Sequence, residues 1–70
     1  MFCLYEHTKA GEIYLFGEYP TLSICKKITE LRWDAMQQLG YKRAQFHCEK
    51  KGANETVVAW EYIGGDEDVV

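Results

Sequence analysis

Cysteine and histidine are the residues of this sequence best suited to chemistry. Cys3, Cys25 and Cys48, with His7 and His47, are the donor types that zinc prefers. Cys3 and His7 stand four apart, so on a strand they share a face at a separation of ~13 Å, while the adjacent His47 and Cys48 point to opposite faces. No C-x₂₋₄-C hook is present, so no metal is expected. Ser23, the only serine, falls in the first turn of a predicted helix, and no base with an orienting group is placed to activate it. Gly64-Gly65 has no helix behind it to form a phosphate cradle. The chain therefore reads as non-enzymatic and without a cofactor.

Two other residue sets point to binding. Lys42, Arg43, Lys50 and Lys51 bracket a predicted strand, and basic ends beside sheet aromatics are the means by which some sheets hold single-stranded nucleic acid. Against that reading, the net charge is −3 with a pI near 5.2, and Glu12, Glu18, Glu49, Glu55 and Glu61 interrupt any basic stripe. Nucleic acid is therefore the alternative partner. The second set is aromatic: Tyr5, Tyr14, Phe16, Trp33, Trp60 and Tyr62, of the residue types that anchor protein interfaces.

The elements that position these residues are legible. Residues Phe2 to His7 and Glu12 to Tyr19 read as strands joined by Thr8-Lys9-Ala10-Gly11, where Gly11 can take the positive φ of a short hairpin loop. Pro20 ends the second strand and Thr21 caps a helix over about 21–39, which Gly40 closes. Ala44, Phe46 and Cys48 alternate with Gln45, His47 and Glu49 as in a half-buried strand. Lys51-Gly52-Ala53-Asn54 turns into a final β-branched and aromatic run from Glu55 to Ile63. The order is β-β-α-β-β, an α+β fold with a four-stranded antiparallel sheet and one amphipathic helix on one face. Residues 1–65 make a single domain, and 66–70 an acidic, flexible tail whose carboxylates suit solubility.

On a helical wheel Ile24, Cys25, Ile28, Leu31, Ala35, Met36 and Leu39 span about 140° and are expected to face the sheet. Lys26, Lys27, Glu30, Asp34, Gln37 and Gln38 lie opposite, and Trp33 falls outside the stripe. Alternation sets Tyr14 and Phe16 against Ile13 and Leu15, and Val58, Trp60 and Tyr62 against Val57, Ala59 and Ile63. Both faces of the sheet are thus apolar, and a helix roughly 10 Å across covers only one. The expected docking surface is an uncovered aromatic face of Tyr5, Tyr14, Phe16, Trp60 and Tyr62, with Trp33 a second contact.

Seventy residues, 47% hydrophobic and 27% charged, describe one small globular domain with a modest core, for which self-association is a common supplement. No apolar run near 18 residues and no cleavable leader is seen, and the odd, scattered cysteines suit reduced thiols, so a cytoplasmic location with no membrane contact is expected. The hairpin, the helix opened at Pro20-Thr21-Leu22 and closed at Leu39-Gly40-Tyr41, and the final Val57-Val58-Ala59-Trp60-Glu61-Tyr62 run resemble small accessory proteins encoded by bacteriophages. That resemblance implies a host protein as partner and a modulator or inhibitor as function. A homodimer is the other protein–protein expectation.

Overall fold

The computed structural model describes residues 1–64, so the acidic tail expected at 66–70 lies outside the described residues. Strands β1 (Phe2–His7), β2 (Ile13–Tyr19), β3 (Arg43–Lys50) and β4 (Thr56–Ile63) and helix α1 (Leu22–Gln38) follow in the order β-β-α-β-β. All three strand pairings are antiparallel and the sheet order is β2-β1-β3-β4, leaving β2 and β4 as edges. Among the described residues no helix is long and apolar enough to cross a membrane.

Local chemistry sets the helix ends. Thr21 Oγ1 accepts from the Ile24 amide at 3.2 Å, satisfying one of the donors that a helix start leaves free. At the other end Gly40 takes φ +94°, which lets the Tyr41 amide reach the Met36 carbonyl and the Gly40 amide the Gln37 carbonyl, each at 3.0 Å. This is a Schellman closure, and it depends on a residue with no Cβ at that φ.

The register sorts the sheet into two faces. Leu4, Cys48 and Val58 lie side by side, as do Glu6, Phe46 and Trp60, and Ala44 and Tyr62; these rows face α1. Tyr5, His47 and Ala59, and His7, Gln45 and Glu61, face away from it. The core comprises Leu4, Ala44, Phe46 and Cys48 from the sheet and Cys25, Trp33 and Met36 from the helix, with Phe2, Tyr19, Leu22, Ile28, Val58, Trp60 and Tyr62 packed around them. Gly17 has no side chain because the Tyr19 ring folds over it: a Cβ there would sit 2.6 Å from the phenol oxygen.

The helix is rotated relative to the sequence expectation. Cys25, Thr29, Trp33 and Met36 are buried, whereas Ile24, Leu31, Ala35 and Leu39, expected in the core, are exposed. Tyr62 explains the rotation. Its ring stacks on Trp33 at 5.9 Å and meets Phe46 edge-on at 6.1 Å. Thr29 gives its one proton to the Lys26 carbonyl at 2.7 Å, so the Tyr62 hydroxyl donates to Thr29 at 2.8 Å. Turning Leu31 inward would expose the indole and leave the buried Thr29 hydroxyl facing water, so burial of the largest side chain decides the rotation. Beside this seam the Cys25 and Cys48 sulfurs lie 3.4 Å apart, and burial pushes the Cys48 thiol up to about 12.

Trp33→Ala should therefore cost ~3–5 kcal/mol in urea unfolding, the range for removing a large core ring, while Leu39→Ala should cost ~0.5 kcal/mol or less. The reverse ranking would restore the rotation expected from the wheel.

Candidate interaction surface

The expected aromatic face does not form as one surface. Trp60 and Tyr62 lie on the helix side of β4, half-buried against the core, and Trp33 is buried at 8% exposure. Of the six candidates only Tyr5 lies on the open face. The correction is one of phase: alternation groups residues correctly within a strand, but the side that meets the helix depends on pairings between strands.

Tyr14 and Phe16 share the helix side with Trp60 and Tyr62, yet they remain exposed. Tyr14 pairs with Glu6 on that side, and the Arg32 guanidinium of α1 sits 5.9 Å from the Phe16 ring centroid. Phe16 is the extra residue of a β-bulge between Leu4↔Gly17 and Tyr5↔Leu15, and a bulge bends an edge strand. Ile13 and Leu15 pair with His7 and Tyr5 on the open face. The outcome is four consecutive large apolar residues on an edge strand: Ile13, Tyr14 and Leu15 each 55% exposed and Phe16 41%. Edge strands are usually guarded by charges, Pro or bulges; on β2 the charge, Glu18, and the bulge at Phe16 lie toward its C-terminal half, and residues 13–15 carry neither.

The helix continues this surface. Arg32, held over Phe16 and bonded through Nε to Glu6 Oε1 at 3.2 Å, follows Ile28 by four residues and precedes Ala35 by three. Residues so spaced are neighbours on a helix, so the outer stripe of Ile24, Ile28, Leu31 and Ala35 runs beside the apolar half of β2.

The centre of the open face is polar and closed. His47, 8% exposed, is stacked under the Tyr5 ring at 4.8 Å. Its Nε2 lies 2.8 Å from a Glu49 carboxylate oxygen and its Nδ1 2.6 Å from His7 Nε2. A carboxylate only accepts, so His47 donates through Nε2 to Glu49, and its Nδ1 faces the Nε2–H of His7. Among the described residues no group of three or more His, Cys, Asp or Glu converges as metal ligands would. Sequence reasoning missed this cluster because His7 and His47 are 40 residues apart and meet only through the β1–β3 pairing.

The basic residues do not gather either. Arg43 Nε donates to Glu61 at 2.7 Å and Lys51 Nζ to Glu18 at 3.0 Å, the latter raising the Lys51 pKa. Lys42 and Arg43 lie at one end of β3, Lys50 and Lys51 at the other, ~25 Å away by strand rise. Compared with known proteins, the chain matches no family model, no curated protein and no solved structure.

Desolvation, then the neighbouring His47, lowers the His7 pKa from its ordinary 6.5. The unfolded chain therefore binds more protons than the folded one below about pH 6.5, so stability from this group is complete above that pH and is lost as pH falls through the folded value. The melting temperature of the wild type should fall more steeply between pH 7.5 and 5 than that of His7→Gln. Parallel profiles for the two proteins would contradict the shift.

Proposed function

We propose that this domain is a non-catalytic protein–protein interaction module that docks through the apolar half of β2, with the adjoining outer stripe of α1. The observation that carries the reading is the run Ile13–Phe16, exposed on both faces of an edge strand with no charge inside it. Such a strand offers an unpaired backbone ladder and apolar side chains together, the combination that strand-adding partners use. Contiguous apolar surface of this size on a small domain marks a docking site more often than it marks solvent-facing structure. The resemblance to phage-encoded accessory proteins supports a host protein as partner and modulation as outcome, in the cytoplasm where both would meet. Tyr5, beside Leu15 on the open face, extends the contact to that side.

Affinity capture from a nuclease-treated host lysate tests the reading. Leu15→Asp should lose the protein captured by the wild type, because burying an unpaired carboxylate at an interface centre opposes binding, while Lys9→Asp at the hairpin turn should keep it. Retention by Leu15→Asp would refute docking through β2, and loss of capture on nuclease treatment would replace the protein partner with a nucleic acid.

A further inference from the structure

We infer that the helix-side half of this surface, the outer stripe of α1 with Tyr14 and Phe16 beside it, binds a second copy of the same chain with the two helices antiparallel. This rests on the reading of β2 and α1 as a docking surface and names the occupant of one side of it, leaving Ile13, Leu15 and Tyr5 on the other side for a different protein.

Ile24 and Leu31 are seven apart, as are Ile28 and Ala35, the repeat of a seam between two helices. It lies on the opposite side of Arg32 from the buried stripe of Thr29 and Trp33, so α1 carries two apolar faces and the sheet covers one.

Charge then selects a second copy and its direction. Lys27 and Asp34, both exposed, flank the solvent side of the stripe seven residues apart and opposite in sign. About a two-fold axis near Glu30, an antiparallel pair sets Ile24 beside Ala35 and Ile28 beside Leu31 of the second copy. Each Lys27 then falls beside the Asp34 of the other chain. In a parallel pair the two Lys27–Asp34 edges would lie on opposite sides of the seam and could not meet. An isologous interface requires such a self-complementary patch.

Area agrees. Tyr14 and Phe16 are 55% and 41% exposed and Ile24 and Leu31 40% and 57%; with full side-chain areas of ~150–250 Å², these four with Ile28 and Ala35 offer roughly 400 Å² of apolar surface per copy. A standard interface takes ~800 Å² from each partner, a little over half of it apolar. The match is close, and self-association is a common supplement for a domain of this size.

Sedimentation velocity on the full chain, from low micromolar to a few hundred micromolar, is the test. The wild type should run as a dimer. Leu31→Asp should weaken the dimer roughly thirty-fold or more, and Lys27→Asp should weaken it by a smaller factor that shrinks at high salt. Lys27→Asp combined with Asp34→Lys should restore it, an outcome that depends on charge reversal and not on the folding of any single variant. A wild type that stays monomeric throughout would overturn the second copy while leaving docking through Leu15 intact. A dimer unchanged by both Leu31→Asp and Lys27→Asp would equally overturn it.

Discussion

Everything above the sheet depends on where Tyr62 sits. From edge strand β4 its ring reaches the helix, stacks on Trp33 and gives its hydroxyl proton to Thr29. One side chain thus supplies an apolar face and a polar tip to the same helix, a pairing that buried tyrosines require. The contact fixes the rotation of α1 about its axis, and Cys25 and Met36 follow Trp33 into the core on the same stripe. Because Tyr62 and Thr29 satisfy each other, the buried hydroxyls add no unpaired polar group; among the described residues no buried side-chain polar atom lacks a partner.

Fixing the helix this way determines what stays outside. The helix is anchored by Trp33 to β4 and by Arg32 to Glu6 of β1. It meets β2 where Arg32 lies over Phe16 and Tyr19 packs against the core, yet residues 13–16 at the far half of that strand stay exposed. The same rotation turns Ile24, Leu31 and Ala35 outward. Apolar surface on α1 and on β2 therefore lies on one side of the molecule as two results of one packing decision. The open face resolves differently: Tyr5, His7, His47 and Glu49 close over one another, so its centre is self-satisfied and its apolar residues are left to the edges.

Much of this was legible in the sequence, for local reasons. Thr21, Gly40 and Gly11 mark caps and a turn through backbone chemistry that no tertiary contact needs to confirm, and the alternation of Ala44, Phe46 and Cys48 identifies a strand and its buried side. The helix rotation was not legible, because α1 has two apolar stripes and a wheel sums them into one arc. Ile24 and Leu31 weigh as much as Cys25 and Met36 until the partner surface is known, and Trp33, the residue that looked out of place, decided between them. Nor were the absolute faces of β2 and β4, since Tyr14, Phe16, Trp60 and Tyr62 turn toward the helix through register with β1 and β3. The His7–His47 contact lay beyond reach for the same reason: it is created by strand order and carries no local signal.

Two-dimensional nuclear Overhauser spectroscopy of the labelled domain reads the rotation of α1 on Tyr62 directly. Cross-peaks should connect the Trp33 indole to the Tyr62 ring, and the Leu31 methyls should show none to Phe46 or Leu4. Strong cross-peaks from Leu31 to Phe46 and Leu4, with none between Trp33 and Tyr62, would contradict it.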